Sequence, residues 1–182
     1  MLQKAKEFAT IAHRGQRRKT SNLPYITHPI RVAKILEEAG CSDEVICAGY
    51  LHDVVEDTCY TIKDIEAHFG EQIASIVQAH TEDKSLTWQE RKQHTISLVK
   101  SANKEIKQLI VADKLDNLLS IEEDLNTYGD MVWSNFSAPY EKQKWYYHSI
   151  ADNMYHGLPA NEIPAYFKTY EKAVARVFGN TN

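Results

Sequence analysis

Cysteine, glycine, proline and excess positive charge are all scarce in this chain of 182 residues. The three cysteines, Cys41, Cys47 and Cys59, form no Cys-x-x-Cys pair, so neither a disulfide scaffold nor a thiolate zinc site is indicated and reduced thiols are expected. With seven glycines and five prolines there is no low-complexity linker, and no internal repeat is visible. Lys and Arg number 21 against 25 Asp and Glu, and the net charge of −4 argues against a general nucleic-acid or membrane-surface binder. A local basic cluster could still grip a small anion. No long apolar run follows the Met1-Leu2-Gln3-Lys4 start, so no signal peptide or membrane span is expected and the cytoplasm is the default location. Hydrophobic content of 43% and charged content of 25% suit an ordinary soluble domain, and the length suits one. Homo-oligomerisation is left open.

What the chain has is helix signals. Leu2, Ala5, Phe8, Ala9 and Ala12 recur at helical spacing up to Gly15, and the polar stretch from Arg17 to Asn22 reads as a loop. Pro29 suits the first position of a helix ending at Gly40. Ser42, followed by Asp43 and Glu44, starts a helix expected to run on through Asp57. Thr61 opens another that Gly70 stops, and Thr87 with Glu90 forms a capping box for a helix to about Val99. Ile106, Leu109, Ile110, Leu115, Leu118 and Leu119 describe a largely buried helix. The region after Tyr128 is aromatic, and a last amphipathic helix spans Ala165 to Phe178. No strand pair is apparent, so the expectation is a single all-α domain.

The stretch Leu51-His52-Asp53-Val54-Val55-Glu56-Asp57-Thr58 carries the densest chemistry. On one helix His52, Asp53, Glu56 and Asp57 would share little more than a turn, flanked by apolar Tyr50, Leu51, Val54 and Val55. Three carboxylates so close in a dry place repel one another and lose hydration, which a bound cation would resolve. His28, at a helix N-terminus, is kept neutral there as a metal requires, although a lone histidine is as readily a cap or a core residue. Asp113 interrupts an apolar stripe with Ile106, Ile110 and Asn117, and a simple salt bridge would also explain it. Together His28, His52, Asp53 and Asp113 give two imidazoles and two carboxylates, a set suited to manganese, iron or zinc with positions left open for water and substrate. Glu56 and Asp57 are then free for proton transfer. Arg17, Arg18 and Lys19 read either as solvated surface or as a phosphate clamp and a plane for a base, with Arg91 and Lys92 as weaker candidates. His13 reads as structural. His68, His80, His94, His148 and His156 show no partner pattern and read as surface or packing residues. The aromatic cluster from Trp133 to Tyr147 reads as core, with Tyr146 or Tyr147 within reach of a cleft.

Four segments resemble the HD-domain metal-dependent phosphohydrolases, and more closely the hydrolase domain of Rel/Spo-type alarmone enzymes and stand-alone small alarmone hydrolases. They are Ala12-His13-x-Gly15-Gln16-x-Arg18-Lys19, Pro24-Tyr25-x-x-His28-Pro29, His52-Asp53-Val54-Val55-Glu56-Asp57-Thr58 and Ala112-Asp113-Lys114-Leu115-x-Asn117-Leu118. Asp83-Lys84-x-Leu86 through Glu90-Arg91-Lys92 is also similar. The resemblance implies one helical HD-type domain over residues 1–182, with motifs in about 5–119 and the C-terminal helices of 139–178 completing the core. It implies hydrolysis of guanosine 3′,5′-bis(diphosphate), or its pentaphosphate relative, at the 3′ position to GDP or GTP and pyrophosphate, the alarmone turnover of the stringent response. By matched position, one manganese ion would be held by His28, His52, Asp53 and Asp113. Glu56 and Asp57 would serve the hydrolytic water, Arg18 and Lys19 would flank the guanine, and Asn117 would lie near the ribose or 5′-phosphates. Two departures stand out. Leu118, Leu119 and Ser120 follow Asn117 where many relatives have an arginine, and Asp116 stands where an aromatic residue or histidine is frequent. Both are expected to make the substrate side less positive. Rival readings are a phosphatase acting on the NADPH 2′-phosphate or on deoxynucleotides, and a nucleotide sensor without turnover.

Overall fold

In the computed structural model, which describes residues 1–19 and 21–179, the chain runs through α1 (Leu2–Ala12), α2 (Thr27–Glu38), α3 (Asp43–Leu51), the single turn α4 (Val54–Asp57), α5 (Ile62–Phe69) and α6 (Glu71–His80). It continues through α7 (Trp88–Ser101), the long α8 (Lys104–Tyr128), a 3-10 segment Gly129–Asn135, α9 (Tyr140–Asn153) and α10 (Ala165–Phe178). Among the described residues the only extended pairing is an isolated bridge between Arg17 and Pro24, so the all-α expectation holds. That bridge lies in the expected loop, of which Thr20 falls outside the described residues, as do the last three residues of the expected 1–182 domain.

Capping chemistry fixes many of the boundaries. Thr61 and Asp64, and Thr87 and Glu90, each exchange side-chain and backbone hydrogen bonds as full capping boxes. Asn103 caps α8 by accepting from the Ile106 N–H at 3.0 Å. Gly70 and Gly179 end α5 and α10 with positive φ.

Two expectations are corrected. Pro29 is the third residue of α2 rather than the first: the Thr27 and His28 N–H groups bond to Pro24 and Tyr25 carbonyls, so the helix is wound two residues earlier. Proline is tolerated there because a first-turn N–H has no intrahelical partner to lose. The helix expected to run from Ser42 through Asp57 breaks after Leu51, and α4 restarts at Val54. The stretch after Tyr128 begins with a 3-10 segment whose only buried residue is Val132.

α8 is the hub. Leu109, Ile110, Val111, Ala112 and Leu118 are fully buried on it, and it packs against α2, α3, α6, α7 and α10. Each such aliphatic side chain contributes about 1.5–3 kcal/mol by leaving water. The C-terminal helices are tied on by buried hydroxyls: Tyr166 Oη donates to Gln108 O at 2.7 Å, and Tyr170 Oη to Tyr147 O at 3.0 Å. Among the described helices none is long and apolar enough to cross a membrane.

α2 and α3 are pressed together at Gly49. A Cβ at that position would stand 2.8 Å from Leu36 Cδ1 and 3.2 Å from Ala33 Cα. Only glycine lets these helices approach so closely, and the contact sets His28 of α2 beside His52 just beyond α3.

Candidate metal centre

The helix break is what makes the doublet converge. Neighbouring residues on a continuous helix point about 100° apart and do not meet. Here Asp53 leaves the helix at φ −95°, ψ −4°, and its Oδ2 comes to 3.0 Å from His52 Nε2. His28 Nε2 lies 3.2 Å from His52 Nε2, 3.1 Å from Asp113 Oδ1 and 3.6 Å from Asp53 Oδ2. Asp113 reaches the cluster from the middle of α8. The four residues singled out as metal ligands thus face one point, brought there by α2, the α3–α4 junction and α8.

The other edge of each imidazole is already committed. His52 Nδ1 is 2.9 Å from the Gly49 carbonyl and His28 Nδ1 is 2.6 Å from Asp116 Oδ2. Those partners accept, so both Nδ1 atoms carry hydrogen and both Nε2 atoms face the cluster. A single proton can bridge the two Nε2 atoms, but protonating both would set two N–H groups head to head and protonating neither would oppose two lone pairs. A divalent cation satisfies both nitrogens and the carboxylates at once, and the mixed nitrogen and oxygen donor set fits such an ion.

Electrostatics agree. Burial alone would strip the proton from His52, but Asp53 and Asp113 outweigh it and raise its pKa to about 9. Burial also opposes charge on Asp53, yet His52 and His28 hold its carboxyl well below the usual range. Asp113 is likewise held ionised against burial by Lys114, His28 and His80. A metal would take the place of these protons, so its affinity should be proton-linked.

A further histidine joins the cluster. His80, the last residue of α6, places Nε2 3.1 Å from Asp113 Oδ2, and burial pushes its pKa down so that it stays neutral. The expectation that it is a surface or packing residue is corrected. The available signal was periodicity, since His80 continues the buried stripe of Ile73, Ile76 and Val77.

Two connected cavities open from the cluster. One of about 150 Å³ is lined by His28, Asp53, His80, Asp113, Glu56 and Asp57, with Lys92 and Lys114 on its wall. A larger one of about 460 Å³ is lined by Arg18, Lys19, Asn117, Phe136, Tyr146 and Tyr147 among others. Tyr146 and Tyr147 therefore do reach the cleft. Lys114 Nζ is 2.7 Å from Asp113 Oδ2, and Lys92 Nζ is 2.6 Å from Glu82 Oε1, while Arg91 Nη1 pairs Glu82 Oε2 at 2.8 Å. Neither lysine was marked as a main site residue by the sequence.

Glu56 and Asp57 differ in their surroundings. Asp57 Oδ1 accepts from Lys84 Nζ at 2.8 Å and its Oδ2 lies 3.4 Å from Tyr25 Oη, whose shorter bond of 2.7 Å goes to Asp53. Glu56 Oε2 accepts from Glu82 N at 3.3 Å and its Oε1 lies 3.9 Å from Lys84 Nζ, while burial with Asp53 and Glu82 nearby pushes its pKa up. Asn117 Nδ2 donates to Asp113 Oδ1 at 2.8 Å while also facing both cavities. Asp116 does not face the substrate side as expected: it is buried beneath His28 and ion-paired to Arg31. In the stretch after Asn117, Ser120 Oγ accepts from both Arg31 and Arg18.

The sequence pattern of the HD domain family matches residues 5–134. The chain belongs to the HD domain family. The family's hydrolases are metal-dependent, and this chain has a His–Asp cluster that could hold an ion. Among curated HD relatives, the mouse protein named guanosine-3′,5′-bis(diphosphate) 3′-pyrophosphohydrolase MESH1 is 43% identical over 136 residues, covering 73% of this chain and 74% of that one. Among solved structures, lmo0812 from Listeria monocytogenes superposes with a TM-score of 0.81 at 50% identity over 84% of this chain and 99% of that one. A metazoan SpoT ortholog described as hydrolysing ppGpp superposes with a TM-score of 0.77 at 32% identity over 96% and 93% of the two chains.

Proposed function

We propose that this chain hydrolyses guanosine 3′,5′-bis(diphosphate) or its pentaphosphate relative at the 3′ position, releasing pyrophosphate and GDP or GTP. The observation that carries the reading is the pair of Nε2 atoms 3.2 Å apart amid Asp53 and Asp113, set in a chain 43% identical to a relative named for that activity. In this reading the HD unit includes the C-terminal helices, and the substrate is a small nucleotide.

His28, His52, Asp53 and Asp113 would hold one divalent ion, for which we propose manganese. When bound, such an ion supplies Lewis acidity and charge neutralisation at the phosphoryl oxygens. Everything else falls to the side chains. Lys92 and Lys114 offer cationic Nζ groups in the inner cavity, where two phosphates of the 3′ arm would sit. The outer cavity, walled by Tyr146, Tyr147 and Phe136, would take the nucleoside, with Arg18 and Lys19 against the base and Asn117 towards the ribose.

Glu56 is the proton carrier in this reading. Lys84 Nζ comes only to 3.9 Å from its Oε1 and burial raises its basicity, whereas Asp57 is held by Lys84 at 2.8 Å and by Tyr25. Glu56 Oε1 would take a proton from the attacking water as the water oxygen bonds to phosphorus. The bond from phosphorus to the 3′ oxygen breaks, and the proton returns to that oxygen. Asp57 would orient Tyr25 and Lys84 around the same water.

The test is an assay of purified, manganese-loaded protein against both alarmones, NADPH and deoxynucleotides side by side. Pyrophosphate release from the alarmones in excess over phosphate release from the others is expected. Phosphate release from NADPH or deoxynucleotides alone, or tight alarmone binding without turnover, would refute it.

A further inference from the structure

Beneath the cluster lies a chain of polar contacts that belongs to none of the roles above. The Nδ1 edge of His28 faces away from the converging donors and meets Asp116 Oδ2 at 2.6 Å, with both side chains almost completely buried. The other oxygen, Asp116 Oδ1, is 2.8 Å from Arg31 Nε, one turn after His28 on α2. This second contact is a charge pair rather than an aligned hydrogen bond, since the Nε hydrogen points elsewhere. Arg31 Nη2 then donates to Ser120 Oγ at 3.0 Å, one turn after Asp116 on α8. Arg18, from the wall of the outer cavity, donates to the same hydroxyl oxygen at 3.0 Å. The path therefore runs from a ligand of the cluster to a wall of the nucleoside cavity through four side chains.

A buried carboxylate is costly unless paired, and this one has two cationic or donor partners at short range. It can only accept, so it requires hydrogen on His28 Nδ1 and thereby aims the Nε2 lone pair at Asp53, Asp113 and His52. The hydrogen bond and the charge pair also fix the ring plane, because Asp116 is clamped from the opposite side by Arg31. Carboxylate partners of this kind raise ligand basicity and hold the ring for the metal. His52 is anchored by a neutral carbonyl, so His28 alone among the two imidazole ligands has a charged support.

We propose that Asp116 is the positioning residue for His28, and that Arg31 acts through Asp116 as its counter-ion. The inference rests on the metal-centre reading above. Its test uses manganese alone, titrated calorimetrically into metal-free wild-type protein and into Asp116→Asn, Asp116→Ala, Arg31→Ala and the Asp116→Ala/Arg31→Ala pair. Thermal melting in chelator is followed in parallel. Asp116→Ala should weaken manganese binding by roughly 10–100-fold. Asp116→Asn should fall between it and wild type, since the amide oxygen still accepts but carries no charge. Arg31→Ala should lose less than Asp116→Ala, and the double variant should bind no more weakly than Asp116→Ala, because Arg31 has nothing left to act through. Melting temperatures should not track these affinities.

Manganese affinity within twofold of wild type in both Asp116 variants overturns the proposal, as do additive losses in the double variant. If Asp116→Ala does not fold, the near-isosteric Asp116→Asn decides between loss of affinity and none. The two levels separate cleanly. Failure of the wild-type protein to bind manganese sinks the metal reading, whereas wild-type binding with unaltered Asp116 variants sinks only the positioning role.

Discussion

Gly49→Ala sets two known effects against each other at the contact that holds the site together. In an unhindered helix, alanine is better than glycine by about 1 kcal/mol. Here the new methyl would stand 2.8 Å from Leu36 Cδ1 and 3.2 and 3.3 Å from Ala33 Cα and N. Leu36 is fully buried and cannot swing into water, and the Ala33 backbone can retreat only if α2 moves as a body. Overpacking of this kind costs about 1–3 kcal/mol, so the balance is a loss of up to about 2 kcal/mol. At about 2–4 °C per kcal/mol for a domain of this size, melting should fall by a few degrees. Circular dichroism melts in chelator measure this directly. Because α2 carries His28, the same retreat should also draw Nε2 away from His52 and weaken manganese binding. A rise in melting temperature, as at an open helical site, would refute the close-approach argument.

Three further outcomes are expected. Glu56→Gln should keep manganese affinity near wild type while lowering turnover by about 10²–10⁴-fold, measured as pyrophosphate release with metal content in parallel; joint loss of both would remove Glu56 from the proton-transfer role. Asp53→Ala should abolish metal retention and turnover together, and should erase the stabilisation of about 2.7 kcal/mol that a hundredfold excess of manganese over its Kd gives the wild type in thermal melts. Thr87→Ala removes a capping box and should cost about 0.5–2 kcal/mol by urea unfolding, with alarmone turnover in the absence of urea little changed.

The helical class, the capped boundaries at Thr61 and Thr87, and the convergence of His28, His52, Asp53 and Asp113 could all be read from residue order, because each leaves a signature in the sequence. The break between Leu51 and Val54 could not. No proline or glycine stands between Leu51 and Val54 to announce it, and the interruption answers a tertiary demand, that two adjacent side chains meet at one point. His80 was hidden for a related reason: its stripe marks it as buried, but only the position of α8 reveals that it meets Asp113. Asp116 was read onto the wrong side. On α8 it lies three residues from Asp113 and one from Asn117, so spacing alone leaves its direction undetermined until α2 is in place. Lys92 stood out only as a weaker candidate for gripping an anion and Lys114 not at all, since nothing in their neighbours announces a cavity wall.

The donors come from α2, the α3–α4 junction and α8, segments distant along the chain that crowd negative groups into a dry spot. An ion there would staple these three stretches, so scarcity of the ion would do more than silence turnover. The starved protein would open more often and meet proteases sooner, making its abundance in the cell a gauge of the divalent cation supply.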